Sequence, residues 1–435
     1  MFVRNGHYER AATAIGHAVA LAGDFFEGIH DLAVLTSKLG RPDEALALFD
    51  RALNGNPAHP FPWLNKGVAL EQLGRFDDAM ASYRRATELK PDYVDAWCNL
   101  GNAACRSGRL EEGLEHFRKA LSISQADADS LYGTSLALLT QGRLAEGFAL
   151  FEHRWKRNEA DPVRHTEIPN WVGQASLEGK RILLWAEQGY GDTLQFCRYA
   201  PLVARLGANV TLEVQPALKD LLGSLGCSVV ATGDARGVFD YQTPLLSLPL
   251  AFKTDLETIP SKTPYLSASP ERVEIWRTRL GPRGAKPRIG IACSGRQAHK
   301  NDRQRSMPLA GFVPLQEKAE LFLLQKDLRD EDGATLAGLP SVRFLGSQIR
   351  DFHDTAAIVE ILDLVITVDT SLAHLGGALA KPTCVLLPFA PDWRWLLERT
   401  DSPWYPTMKL FRQQRAGDWA DVMPRVAEFT SRARA

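Results

Sequence analysis

The sequence predicts an α-helical solenoid followed by two α/β domains. Three observations carry this. Glycine recurs every 34 residues, at Gly40, Gly74, Gly108 and Gly142, each time followed by arginine. From residue 181 onward, short apolar runs alternate with helical patterns. Two of those runs, starting at Arg181 and Leu364, lead into turns that carry Asp192 and Asp369 and then into helices.

The 435 residues favour two or three domains, and 45% hydrophobic with 24% charged residues is an ordinary globular balance. A net charge of −1, from 51 basic and 52 acidic residues, gives no electrostatic case for nucleic acid or an anionic membrane. Cysteines 98, 105, 197, 227, 293 and 384 form no CxxC and lie within apolar patterns. They read as buried free thiols of a reducing compartment. The first residues lack an apolar leader, and no apolar run approaches the roughly 20 residues of a membrane span. The expectation is a cytoplasmic protein with no transmembrane segment.

Residues 1–155 repeat in detail. GRPDEALALF, GRFDDAMASY, GRLEEGLEHF and GRLAEGFALF share one register, and Gly6 falls one period earlier. Trp63, Trp97 and Leu131 share another position, and Gly67 and Gly101 a third. Ala45, Ala79, Gly113 and Gly147 are small where paired helices touch; Phe49, Tyr83, Phe117 and Phe151 fill the next layer. Pro57 and Pro91 close the second helices of their units. The pattern resembles tetratricopeptide repeats, whose helix pairs stack into a curved solenoid. Asn65 and Asn99 hold equivalent positions, where an amide can pair with a peptide backbone through donor and acceptor. This resembles the asparagine ladder of O-linked GlcNAc transferases, though Asp31 and Gly133 interrupt it here. Simple solvation of the two amides is the alternative. Asp127-Ala-Asp129 superficially resembles a glycosyltransferase metal motif, but it lies between repeat helices and reads as helix-start chemistry.

Residues 156–280 begin with a Pro- and Gly-containing polar stretch of linker composition and continue as a βαβαβ pattern. Gly189 and Gly191 permit a tight strand-to-helix turn, and Asp192 stands near the helix start. It is either an N-cap or a functional carboxylate at the carboxyl end of a strand. The turn matches neither GxGxxG nor GxxxxGK[ST], which weighs against a dehydrogenase or an NTPase.

Residues 281–400 form a second α/β pattern. After the strand Arg288–Cys293 come Ser294, Gly295 and a cationic loop with Arg296, His299, Lys300, Arg303 and Arg305, which suits a phosphate or diphosphate, a solvated basic loop being the alternative. Gln325 ends the next strand. Asp369-Thr370-Ser371 opens a helix whose free N–H groups can take an anion, with His374 one turn in, facing either the ligand or the core. Residues 401–435 read as a crossing segment, a short strand and a final helix. Trp393, Trp395 and Trp404 read as interdomain packing.

The pair of motifs, strand–Gly–Asp–helix and strand–Asp-Thr-x-x-x-His-x-x-x-Ala-x-x-Lys-Pro, resembles the bacterial ADP-heptose transferases over residues 180–400. The resemblance implies a GT-B fold of two Rossmann-like domains and inverting glycosyl transfer from a nucleotide sugar without a metal. It implies that Asp192 is the general base and that Glu187, Gln188, Gly189 and Gly191 lie on the acceptor side. Ser294, Gly295, Lys300, Arg303, Arg305, Gln325, Asp369, Thr370, Ser371 and His374 would face the donor. Lys300 is the nearest match to the family's diphosphate lysine, with Arg303 and Arg305 as rivals. Ser371 stands where the family carries glycine. In that fold the final helix packs back on the first domain. The fusion to repeats is similar in layout to O-linked GlcNAc transferases and implies a protein or peptide acceptor. A non-catalytic scaffold is the alternative.

Overall fold

The structure, a computed structural model, describes residues 7–22, 25–158, 160–297 and 301–432. The chain divides into two compact units: Met1–Leu138 with Leu150–Asp161, and Leu139–Ala149 with Pro162–Ala435.

The repeats form helices α1 (Tyr8–Ala22), α2 (Phe26–Lys38), α3 (Pro42–Gly55), α4 (Pro60–Gln72), α5 (Phe76–Leu89), α6 (Val94–Arg106), α7 (Leu110–Ile123), α8 (Ala128–Thr140) and α9 (Leu144–Phe151). The periodic glycines follow the first helix of each pair with φ of +76°, +75°, +80° and +82°, a left-handed turn that a side chain would strain. The arginine after each glycine pairs with an acid three residues on, as Arg41–Glu44, Arg75–Asp78 and Arg143–Glu146 do. These pairs are exposed, where water and salt screen them, so they add little. Packing carries more. Ala45, Phe49, Ala79, Tyr83 and Ala86 are fully buried. Trp63 and Trp97 donate from Nε1 to the carbonyls of Pro57 and Pro91 at 3.0 and 2.9 Å, which joins each pair to the preceding one.

The segment before the first sheet has linker composition, yet it is held. Trp171 N donates to Gln242 O and Gln242 N to Pro169 O, both at 2.9 Å. Arg164 donates to the buried Glu213 carboxylate. The first sheet then follows: β1 (Arg181–Trp185), α10 (Tyr190–Phe196), α11 (Ala200–Ala204), β2 (Asn209–Val214), α12 (Lys219–Leu222), β3 (Ser228–Ala231), β4 (Tyr241–Pro244) and α13 (Leu248–Ala251). Its order is β3-β2-β1-β4, all parallel.

The second sheet is built from α14 (Pro270–Leu280), β5 (Arg288–Ala292), α15 (Asp302–Arg305), β6 (Glu320–Leu323), α16 (Asp330–Ala337), β7 (Val342–Phe344), α17 (Phe352–Ile361), β8 (Leu364–Val368), α18 (Ser371–Ala378), β9 (Thr383–Leu387), β10 (Met408–Arg412) and α19 (Val422–Arg432). The order is β10-β9-β8-β5-β6-β7, again all parallel. Its strand order reverses between β5 and β8, the switch point at which open α/β sheets bind ligands.

Three expected boundaries move. Phe148, at the end of the repeats, is buried edge-on to Trp393 at 5.5 Å, so Leu139–Ala149 belongs with the α/β unit. Helix α14 belongs to the second sheet, because Arg272 and Trp276 bond the buried Asp354 of α17 at 2.5 and 3.0 Å. The last helix does not return to the first sheet. Val422, Met423 and Val426 lie in one core with Ile289, Ile366 and Phe411 of the second. The link back to the first sheet is made instead by Trp393 and Trp404, which pack on Phe196 at 6.4 and 5.8 Å.

A Cβ on Gly67 would overlap Cε1 of Tyr83, whose ring is buried and whose hydroxyl bonds Glu71 at 2.8 Å. Gly67→Ala should therefore lower stability by about 1–3 kcal/mol through overpacking. A Cβ on Gly74 meets nothing within 4 Å, so Gly74→Ala should cost only the left-handed backbone, about 1 kcal/mol. Denaturant midpoints of the two variants check the order.

Candidate functional site

The carboxyl ends of β1, β5 and β8 face one cleft of about 1160 Å³. Gln188 to Asp192 and Gln215 line one wall; Ser294, Gly295, Arg305 and Asp369 to Ser371 line the other, with Asp392 and Arg394 from the loop after β9.

On the first wall, Asp192 is the third residue of α10, and its Oδ2 accepts from Gly189 N at 2.9 Å. The capping role is therefore present. Its Oδ1 accepts from Arg394, which also donates to Asp392 Oδ1 at 2.8 Å and Gln195 Oε1 at 2.6 Å. Burial pushes the Asp192 carboxyl above its ordinary range, and Arg394 pulls it back. Gln215 fastens the turn: its Nε2 donates to Gln188 O at 2.8 Å and its Oε1 accepts from Thr193 Oγ1 at 2.9 Å. Glu187 leaves the site, because its Oε1 accepts from Leu246 N at 3.1 Å and its side chain does not line the cleft.

Gly191 meets protein. A Cβ there would lie 2.8 Å from Cδ2 of His374, so its lack of a side chain is what lets α10 and α18 touch. His374 lines the cleft from this contact. Its Nδ1 pairs with Tyr405 Oη at 2.9 Å and its ring stacks on Trp395 at 5.4 Å. Burial and the neighbouring Arg394 and Arg198 lower its pKa well below that of free histidine, so it is neutral.

On the second wall, Gln325 is a brace. Its Oε1 accepts from Cys293 N at 2.9 Å and Ser294 N at 3.3 Å, and its Nε2 donates to Ser294 Oγ at 3.1 Å. It shapes the turn after β5 and also lines the cleft. Arg305 lies over Gly295, where a Cβ would come within 2.5 Å of Nη2. Its Nη1 donates to Asp369 O at 3.1 Å, while its buried Nε has no partner among the described residues. Thr370 caps α18, its Oγ1 accepting from Leu372 N at 3.3 Å. Arg303 is exposed and does not line the cleft. His299 and Lys300 lie outside the described residues.

Asn65 and Asn99 sit in the repeat unit. Asn65 Nδ2 is paired with His30 Nε2 at 3.1 Å, which engages one of the two expected peptide contacts within the solenoid. Asp127 accepts from Ser130 N at 2.8 Å, the helix-start chemistry expected of that segment, whereas Asp129 makes a long-range ion pair with Arg157 at 2.8 Å.

Sequence reading missed Arg394, Asp392 and Gln215. The available signal was the acid–base pair Asp392-Trp-Arg394 inside an aromatic run, where only the tryptophans drew notice.

Asp369 is pushed up to about 6 by burial and by Asp392, against the pull of Arg305. Between about pH 4 and pH 6 the folded chain thus keeps a proton that the unfolded chain has lost, so this group's contribution falls as pH rises. Relative to Asp369→Asn, the wild-type chain should lose about 1–3 kcal/mol of stability between pH 4 and pH 7. Chemical denaturation of both proteins across that range checks the sign.

A tetratricopeptide repeat model matches residues 30–94, 64–128 and 98–154. Protein FlbA of Caulobacter vibrioides is 26% identical over 305 residues, covering 64% of this chain and 50% of FlbA. The chain thus spans about half the length of that curated relative, over a stretch longer than the repeats alone. Among solved structures, the thermophilic TPR protein TTC0263 of Thermus thermophilus is 19% identical, with 37% of this chain and 88% of that one covered at a TM-score of 0.33. MamA of Desulfovibrio magneticus RS-1 is 21% identical, with 36% and 86% covered at 0.31. No described helix is long and apolar enough to cross a membrane. Residues 30–154 are tetratricopeptide repeats, a protein-interaction module, and two parallel-sheet halves follow them.

Proposed function

We propose that the α/β unit is a GT-B glycosyltransferase that moves a sugar from a nucleotide donor to a protein or peptide acceptor recruited by the repeats. The observation that carries this reading is the shared cleft. The ligand-binding ends of two parallel sheets open onto it. The Arg305 side chain lies on one wall, and the Asp192 carboxylate lies on the other. At about 1160 Å³ the cleft exceeds the roughly 300–1,000 Å³ of a single small-ligand pocket, which leaves space for a second substrate.

On this reading the nucleotide phosphates lie over Ser294 and Gly295, against Arg305 and the start of α18 at Thr370 and Ser371. These groups carry positive charge or free donors where the leaving group gains negative charge. The acceptor oxygen attacks the anomeric carbon from the opposite side and the bond to the phosphate breaks. The nucleotide leaves with the bonding electrons, and the hydroxyl proton passes to Asp192. The configuration inverts. A positioned base of this kind contributes about 10² to 10⁴ in rate. The protein's own cations supply the counter-charge, with no metal invoked. One observation favours the alternative of a scaffold without turnover: both Asp192 oxygens are already engaged, by Arg394 and by Gly189 N.

Calorimetry with UDP, GDP, ADP, CDP and CMP tests the reading. One of them should bind, and Arg305→Ala should weaken it by about 1–3 kcal/mol, the scale of a hydrogen bond to a charged group. With the matching sugar donor, Asp192→Asn should bind as wild type and turn over about 10² times more slowly or worse. No binding of any of the five nucleotides sinks the donor site. Binding without turnover in the wild-type chain favours the scaffold. Asn65→Ala with Asn99→Ala should leave nucleotide affinity unchanged and reduce transfer of labelled sugar to protein from a cell lysate.

A further inference from the structure

We propose that Arg394 is a positioning residue, which holds the Asp192 carboxylate ionised and turned toward the space between the two sheets. The proposal rests on the reading of Asp192 as the proton acceptor.

The geometry fixes the guanidinium on every edge. Nη2 donates to Asp192, Nη1 to Asp392 Oδ1 at 2.8 Å, and Nε to Gln195 Oε1 at 2.6 Å. Its face lies 4.4 Å from the ring of Trp393, and the residue is 7% exposed. The loop that carries it is itself closed by Asp392, whose Oδ1 accepts from Arg394 N at 3.0 Å. A cation so held cannot swing to follow a partner; the partner takes its orientation from the cation. Asp192 is then fixed through both oxygens, by Arg394 on Oδ1 and by Gly189 N on Oδ2 at 2.9 Å. Each carboxylate oxygen has a second acceptor site, so the carboxylate can still accept from a substrate hydroxyl in the cleft that it lines.

The charges around Asp192 make the cation necessary. Arg394 and Asp392 face it from the loop after β9, Asp369 lies at the end of β8, and Arg305 of α15 bonds the carbonyl of Asp369. His374 of α18, packed against Gly191, is neutral. Burial and Asp392 both disfavour a charged Asp192, and Arg394 is the side chain that opposes them. Without Arg394 the carboxyl would hold its proton to higher pH.

The test is a titration that needs no turnover. The full chain is labelled with ¹³C at its aspartate carboxyl carbons, and the Asp192 resonance is the one that Asp192→Asn removes. Arg394→Gln should raise its midpoint by about one pH unit or more, the scale for loss of an opposite charge at ion-pair distance. Arg394→Lys should raise it less, because a flexible point charge replaces a fixed fork. Asp392→Asn should lower it, since the amide oxygen can still accept from Arg394 but the negative charge is gone. If Arg394→Gln does not fold, the Lys and Asn variants decide by the opposite signs of their shifts. The proposal is overturned if neither Arg394 variant raises the midpoint. Turnover of Asp192→Asn is a separate result: if it stays high, Asp192 is not the base, whatever the titration gives.

Discussion

Two buried guanidinium groups hold the α/β unit in the arrangement that creates its cleft. Removing a cation from water costs several kcal/mol unless its donors are met. Arg394 meets the cost with carboxylates, Asp192 on one side and Asp392 on the other. Arg198 has neutral partners. It donates to the carbonyls of Gln195 and Trp404 at 2.7 and 2.8 Å and to Tyr265 Oη at 2.9 Å, between the rings of Tyr265 and Tyr405. Both reach from the neighbourhood of α10 to the chain between residues 393 and 405. Cutting either would leave a buried charge without partners, so the two sheets keep their relative position through these contacts.

That constraint explains features of the site that look unconnected. Gly191 has to be small because α18 passes against it at His374. His374 is kept neutral first by its burial and then by the field of both arginines. Asp369 is only partly compensated, because Arg394 is committed to Asp192 and Asp392, and Arg305 bonds the backbone of Asp369. Burial is the first cause of its raised pKa and Asp392 the second, against the pull of Arg305. The cleft thus gathers several acids and cations at strand ends, where desolvation makes small displacements matter.

The repeat unit is stabilised differently. Each helix pair buries alanine and aromatic layers against its neighbours, and the left-handed glycines terminate first helices at fixed intervals. One polar network interrupts this pattern: Glu71 accepts from Tyr83 Oη and from Arg106, both at 2.8 Å. It links α4, α5 and α6. Burial raises the Glu71 carboxyl despite Arg106, so the network is costly to disturb.

The sequence by itself determined the elements. A period of 34 residues, small residues where helices touch and glycine after each first helix can be satisfied only by stacked pairs, so the solenoid was legible before any coordinates. Alternating apolar runs and helical patterns likewise specified parallel strands, and most of the residues picked out around Asp192 and Asp369 do line one cleft. Those signals are local: spacing, turn chemistry and composition act within a few residues. Tertiary structure decided what local patterns cannot encode. Which donor Asp192 faces depends on Arg394, 202 residues away in sequence. Gln325 became a brace, Gly191 a helix contact and Glu187 a backbone acceptor because of chain segments brought in by sheet order. The final helix joined the second sheet because β10 adds to that sheet's edge beside β9, which places Val422 and Val426 over the same core. Long-range pairing of this kind has no periodic trace, and together with the local caps it sets the charge and orientation of the groups in the cleft.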